Sequence, residues 1–449
     1  MSGRVHVVGA GVAGLAAAVR LAEAGRAVTL YEAAPQAGGR ARSYFDQALG
    51  CRIDNGNHLL IAGNRSALGF IDAIGARATL TGPGAPDYPF LDRATGERWT
   101  LRFNAGRIPW WMASPARRVP GTSLGDYLKA LALHRARPDD RVVDLLPPGT
   151  PIYRRLWQPL AVAALNTPLN EASAVLLARV LAESMGAGGA ACTPLIPREG
   201  LSETLVDPAL AQLRRRGAAI RFGARLRTIE FAAERATALD FDDGRETLGA
   251  ADEIVLAVTA PVASRLVPDL VAPDQYCAIL NAHYRVDAPD GSPFFVGIIG
   301  GTAEWVFRKA GVLSVTVSAA DRLLDTPEDE LAVALWRDVA AAYALPVPPV
   351  PPVPPVRIVR ERRATFAATP EQVARRPGAR TRWRNLTLAG DWTDTGLPAT
   401  LEGAIRSGFA AARILGAGRR DAVENSLSGK DFGFKVTPPS QPFEPRLCP

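Results

Sequence analysis

The chain has 449 residues, 47% of them hydrophobic and 22% charged, which allows two or three domain-sized units with a substantial core. Its net charge is +7, yet only Lys129, Lys309, Lys430 and Lys435 of the 52 basic residues are lysine, and the dispersed arginines form no basic run interleaved with aromatics, which argues against a nucleic-acid partner. Cys51, Cys192, Cys277 and Cys448 are far apart, with no CxxC pair and no histidine at ligand spacing, so neither a metal site nor a disulfide framework is indicated and a reducing compartment fits.

Residues 4–8 (RVHVV) are predicted to form a short strand and residues 14–24 (GLAAAVRLAEA) a helix ending at Gly25, followed by a second buried strand at Val28–Tyr31. The apolar onset after Arg4 imitates a secretory leader, but Gly9, Gly11 and Gly14 inside it argue against one. Those glycines belong to GAGVAG, set between strand and helix. Gly9 permits the tight turn, Gly11 lets the backbone approach a pyrophosphate, and Gly14 allows the helix to pack closely on the strand. Glu32, 18 residues beyond Gly14, closes the next strand where a carboxylate accepts from ribose hydroxyls. AGGRARS (37–43) then offers a second close-approach turn at Gly38 and Gly39, with Arg40 as a guanidinium for pyrophosphate oxygens.

From about 80 to 197 the texture shifts to Pro, Trp and loop signals around short helices at 123–135 and 172–186. Residues 198–260 read as a return to the nucleotide-binding sheet. A second departure covers 261 to about 380, with strands at 294–299 and 312–317 and a stiff, extended connector at 346–356 (PVPPVPPVPPV). LTLAGDW (386–392) reads as a strand and 400–415 as a closing helix, while the polar tail after Gly416 is expected to be disordered. No uncharged, unbroken apolar segment reaches 18 residues, so any membrane contact is peripheral. GAGG at 186–189 follows a predicted helix and lacks a ribose acid at the right distance, so no second dinucleotide site is indicated.

With GxGxxG, a ribose acid and GG-R in this order, the chain resembles the amine oxidase and phytoene desaturase superfamily of flavoproteins over residues 4–415. The resemblance implies FAD as cofactor and an α/β fold: a discontinuous, GR2-type Rossmann-like FAD-binding domain with an inserted α+β substrate domain. It assigns 1–80, 198–260 and 381–416 to the first, 81–197 and 261–380 to the second, and 417–449 to the tail. By the same likeness the cofactor meets Gly9, Gly11, Ala13, Gly14, Glu32, Gly38, Gly39 and Arg40. Leu226 stands where backbone groups bond adenine. In LAGDWTDTGLPATLEGAIRSG, Gly390 and Asp391 fall at the ribityl or phosphate portion, and Thr400, Leu401 and the backbone of Glu402 near the pyrimidine end, where a helix N-terminus stabilises the anionic reduced flavin.

IDNGNHLLIAG (53–63) is similar to the hydroxysqualene dehydroxylases, as are RIPWWMASPARR with SLGDYL and LWQPLAVAALNTPLNEAS. This implies an oxidoreductase of squalene and hopanoid biosynthesis that replaces the allylic hydroxyl of a C30 isoprenoid by hydrogen. Asn57 and His58 are then expected at the flavin, with His58 as candidate proton donor and Asp54 orienting it. The electron donor is not identified by any motif. A cytoplasmic enzyme touching the inner face of the cytoplasmic membrane is expected, with Trp110, Trp111 and Met112, flanked by Arg107, Arg117 and Arg118, as the contact. Rival expectations are a carotenoid-type desaturase, an amine oxidase and a non-catalytic prenyl-binding protein of the same fold.

Overall fold

The computed structural model describes residues 3–346 and 353–417. Most of the expected proline connector, and the tail, lie outside the described residues.

Strand Val5–Val8, helix Val12–Glu23 and strand Val28–Glu32 follow one another as a β-α-β unit. The two strands pair in parallel, Val5 opposite Val28. They are the centre of a five-stranded, all-parallel sheet in the order Ala219–Phe222, Val28–Glu32, Val5–Val8, Glu253–Leu256, Leu386–Leu388. Val5, Val7 and Val8 are all buried, as continuous β-branched runs are when helices cover both faces of a parallel sheet. Helix Val12–Glu23 packs against Asp207–Arg215 and against Leu401–Ala412, the last α-helix among the described residues. The latter contact is a close approach of backbones: a Cβ on Gly408 would stand 2.2 Å from the Ala13 carbonyl oxygen.

Only part of 198–260 joins this sheet. Leu226–Ala232, Arg235–Phe241 and Gly244–Thr247 form a separate antiparallel sheet, because tight turns at 233–234 and 242–243 let neighbouring strands pair directly. Phe241 from this sheet stacks on Tyr31 of the parallel sheet with ring centroids 4.5 Å apart.

A seven-stranded sheet runs in the order Val356–Phe366, Tyr276–Arg285, Val312–Val317, Trp305–Lys309, Phe295–Ile299, Asp87–Asp92, Arg98–Arg102. It is antiparallel except where Phe295–Ile299 meets Asp87–Asp92. Period-two alternation divides its two faces. Leu280, Ala282, Tyr284, Val306, Val315 and Val317 pack with Leu331, Leu335 and Trp336 of helix Glu328–Tyr343. Their neighbours Ile279, Asn281, Trp305, Phe307, Thr316 and Ser318 face the opposite way, into a large cavity.

The expected helix at 123–135 is α-helical only over Leu124–Leu128 and continues as a 3-10 helix over Lys129–Arg135. That expected at 172–186 spans Ala174–Glu183. No helix among the described residues is long and apolar enough to cross a membrane.

Candidate active site

A cavity of about 930 Å³, at the upper end of ligand pockets, runs between the parallel sheet and the inner face of the seven-stranded one. Its polar end is assembled from three remote pieces of chain. Gly9 (φ +104°) turns out of the first strand, and Gly38 (φ +107°) and Gly39 (φ +56°) make a second turn that docks on it. The Gly38 N–H donates to the Ala10 carbonyl at 2.8 Å, and a Cβ on Gly39 would be 3.5 Å from the Gly11 Cα. Nothing lies within 4 Å of a Cβ built on Gly11, so that glycine opens onto the cavity. A Cβ on Gly14 would sit 1.9 Å from the Gly9 carbonyl oxygen and 3.1 Å from the Ala257 Cβ. Gly14 therefore stands behind the cavity wall and acts through packing.

Glu32 lines the cavity with its carboxylate already held: one oxygen accepts from the Ala10 N–H and the other from the Ala34 N–H, both at 2.8 Å. Beside it the Ala224 N–H donates to the Glu32 carbonyl at 2.9 Å, which brings Ala224, Arg225 and Leu226 to the same end. Arg40 reaches across to the last segment, where its guanidinium donates to Asp391 Oδ1 at 2.7 Å and to the Ala364 carbonyl. Gly390 (φ +151°) turns the chain out of the final strand, and a Cβ there would lie 2.4 Å from the Trp392 indole nitrogen. Arg376 holds this turn from behind, donating to the carbonyls of Asp391, Trp392 and Thr393. Thr400 caps the last helix, its hydroxyl accepting from the Gly403 N–H at 3.1 Å. The N–H groups of Leu401 and Glu402 belong to the orphan donors of a first helical turn, and both residues line the cavity. The Glu402 side chain points elsewhere, its oxygens accepting from the N–H groups of Ser66 and Ala67 at 3.0 and 2.8 Å.

Two helix N-termini, three glycine turns and an arginine thus surround one space. That donor set suits a pyrophosphate at one end and an anionic ring system at the other. The residues present fit FAD.

The far end of the cavity is apolar. Phe90 and Leu101 come from the Asp87–Arg102 hairpin at one edge of the seven-stranded sheet, Trp305 and Phe307 from its centre, and Leu156, Leu160 and Met185 from the helical segment. The Tyr88 hydroxyl lines this end but donates to the Cys192 carbonyl at 2.6 Å, so it offers no free proton. Leu156 and Leu160 lie in the LWQPLAVAALNTPLNEAS stretch, and no motif marks the others. The strand residues among them share only an apolar side chain at every second position.

Asn57 and His58 line the cavity between the two ends. The Asn57 amide donates to Thr316 Oγ1 at 3.0 Å, tying this loop to the seven-stranded sheet. Burial pushes the His58 imidazole down to about 4, with Arg40 and Lys309 adding to the effect and the Asp54 charge opposing it. His58 is therefore neutral at neutral pH.

Asp54 does not orient it. The Asp54 carboxylate accepts from the Ser43 hydroxyl at 2.6 Å and the Leu201 N–H at 2.9 Å, and pairs with the Lys309 ammonium, with no hydrogen bond to His58. The cause is register: Ser43 lies opposite Asp54 in a two-stranded ladder, which turns the carboxylate behind the cavity wall. Glu361 and Asn55 are polar cavity residues that the sequence reading missed, with the Asn55 amide 3.4 Å from Glu361 Oε2.

The expected membrane contact is also altered. Trp111 is 2% exposed and packs edge-on against Phe103 and Tyr127, whereas Trp110 is 53% exposed.

Sheet order, glycine turns and apolar chamber together define an FAD-dependent oxidoreductase, and the flavin containing amine oxidoreductase family matches residues 12–415. The chain is 49% identical over 423 residues to the hydroxysqualene dehydroxylase of Rhodopseudomonas palustris, covering 93% of this chain and 100% of that one. It is 47% identical over 414 residues to the hydroxysqualene dehydroxylase of Sinorhizobium fredii, covering 92% and 98%. Among solved structures, a putrescine oxidase double mutant superimposes with a TM-score of 0.67 at 16% identity, over 92% of this chain and 98% of that one, a likeness of fold alone. The chain belongs to the hydroxysqualene dehydroxylase family of the flavin containing amine oxidoreductases.

Proposed function

We propose that this enzyme converts hydroxysqualene to squalene, within squalene and hopanoid biosynthesis, and that FAD is held by the residues gathered at the polar end of the cavity. The observation that carries this reading is the continuity of one cavity from a dinucleotide cradle to an apolar chamber. In the division we propose, 1–80, 198–260 and 381–416 bind the cofactor, while 81–197 and 261–380 shape the space for the isoprenoid.

Bound in reduced form, the flavin supplies the hydride equivalent that replaces the hydroxyl. The protein does the rest. Breaking the C–O bond requires a proton at the departing oxygen, so that water leaves, and a dry surrounding while positive charge develops on the allyl group. Phe90, Leu101, Leu156, Trp305 and Phe307 exclude water from that position. His58 is neutral at rest, so it would take up the required proton from solvent before passing it to the departing oxygen, which then leaves as water. The N–H groups of Leu401 and Glu402, with their helix dipole, hold negative charge near the reacting end.

A C30 hydrocarbon is almost insoluble in water. We therefore read the enzyme as peripheral to the inner face of the cytoplasmic membrane, drawing substrate from the bilayer, with an electron donor of unknown identity.

The deciding experiment is anaerobic incubation of photoreduced protein with hydroxysqualene. Stoichiometric squalene together with flavin reoxidation is expected. Reoxidation without squalene, or a more unsaturated product from oxidised enzyme, would replace this reading with the desaturase alternative.

A further inference from the structure

We propose that the face built by residues 107–135 docks the enzyme on a bilayer surface carrying anionic lipid, directly outside the wall of the apolar chamber. The proposal rests on the reading that the substrate is dissolved in lipid.

Eight large hydrophobic side chains are exposed among the described residues, and five of them, Ile108, Trp110, Leu124, Leu128 and Leu131, fall within this one segment. Chance scatter of surface apolars needs no explanation, but concentration does. Trp110 opens a short 3-10 helix, Trp110–Ala113, that packs against helix Leu124–Leu128. Leu124, Leu128 and Leu131 are spaced four and three apart and so share one side of the helical run 124–135, while Tyr127 and Leu133 are buried on the other. A helix at an ordinary surface turns polar residues outward. This one turns three leucines outward among its charges.

The charge around the patch selects the occupant. Between 103 and 137 the chain carries Arg107, Arg117, Arg118, Lys129, Arg135 and Arg137 against a single acid, Asp126. The Arg117 guanidinium lies 4.6 Å from the centre of the Trp110 ring, keeping an indole and a cation side by side. Indole settles in the headgroup zone and arginine meets lipid phosphate, so the pair suits the boundary of an anionic bilayer.

The inner side of the same segment leads to the chamber. Phe103 lines the cavity and touches Trp111 edge-on at 4.8 Å, and Trp111 touches Tyr127 at 5.2 Å. The N–H groups of Gly189 and Ala190 donate to the carbonyls of Gly106 and Ala105, a few residues beyond Met185 in the cavity wall. A membrane on the outer side therefore lies one layer of side chains from the space that takes the isoprenoid.

The test uses full-length, FAD-loaded protein in flotation assays with phosphatidylcholine vesicles, with and without phosphatidylglycerol. The wild type should float with the anionic vesicles, less so at high salt. Combined Ile108→Ser, Leu128→Ser and Leu131→Ser should abolish flotation. Combined Arg107→Gln, Lys129→Gln and Arg135→Gln should weaken it about fivefold per charge, equivalent to ~1 kcal/mol each. Both variants should keep wild-type turnover of detergent-dispersed hydroxysqualene, which shows that they fold. Unchanged flotation of the serine variant overturns the proposal. So does conversion of a wild-type dimer to monomers by those serines, which would make the face a contact between copies. A wild type that floats yet fails to turn over detergent-dispersed substrate supports the docking surface and removes the reaction assignment instead.

Discussion

Arg40 Nη2 stands 2.7 Å from Asp391 Oδ1, a contact between residues 351 positions apart that closes the polar end of the cavity. The same guanidinium donates to the Ala364 carbonyl in the edge strand of the seven-stranded sheet, so one side chain joins the first glycine turns, the last segment and the substrate side. The strand is irregular at that point. Thr365 lies four positions beyond Glu361 where the partner moves only two, from Ile279 to Cys277, and this bulge lies where Ala364 meets Arg40.

Removing either partner should loosen the cofactor. Arg40→Met and Asp391→Asn each break a charge-assisted hydrogen bond worth about 1.5–3 kcal/mol, and FAD should bind the apoprotein roughly 10- to 150-fold more weakly. Fluorescence titration with FAD measures this. The double variant should lose less than the sum of the two single losses, because the contact between the two side chains is lost only once.

Gly11 and Gly14 should respond in opposite ways to alanine. Gly11→Ala meets nothing in the protein, so the apoprotein should melt within about 0.5 kcal/mol of wild type while its FAD affinity falls. Gly14→Ala drives a methyl into the Gly9 carbonyl and should cost about 1–3 kcal/mol of apoprotein stability. Thermal melts of both apoproteins, compared with their flavin content after loading, separate the two roles.

Burial holds the imidazoles of His58 and His283 down at about 4, against 6.5 for a free histidine. Below pH 6.5 the unfolded chain takes up these protons and the folded one does not, so stability should fall as the pH drops from about 6.5 towards 4 and level off beneath it. Each histidine contributes a slope of up to about 1.4 kcal/mol per pH unit. Denaturant unfolding of the apoprotein across that range should show it, and His283→Gln should remove about half of the slope due to this pair. The rate of the chemical step should show no titration near pH 6.5.

The apolar chamber should set substrate length. Ala164 lines it, and Ala164→Trp places a large ring in the space. The variant should retain FAD and lose about tenfold or more in kcat/KM for the C30 substrate, equivalent to ~1.4 kcal/mol. A shorter allylic prenyl alcohol should be less affected. Steady-state kinetics with both substrates measures the contrast.

What could be read from the chain in advance follows the range of each interaction. Gly9, Gly11, Gly14 and Glu32 act within one β-α-β unit, where spacing along the chain is nearly spacing in the fold. The strand and helix at 386–412 were likewise legible from their turn glycine and apolar runs. Asp54 was not, because its ammonium partner, Lys309, lies 255 residues on and its ladder partner, Ser43, sets the carboxylate's direction. Trp110 and Trp111 look alike in sequence, and a single 3-10 turn sends one to the surface and the other into the core. The hairpin sheet at 226–247 stands apart from the parallel sheet for the same reason, since short β-rich segments do not announce which neighbour they pair with.

The parallel sheet holds Val5–Val8 at its centre and Leu386–Leu388 at its edge, with helix Leu401–Ala412 laid against Val12–Glu23. A growing chain therefore makes the sheet's first β-α-β unit early, adds Ala219–Phe222 and Glu253–Leu256 midway, and waits until Leu386–Leu388 and Leu401–Ala412 for the edge strand and closing helix. Until that last strand and helix emerge, the earliest helix keeps an uncovered flank. Premature termination before Leu386 yields a protein that has its fingerprint glycines and no means of closing over a coenzyme.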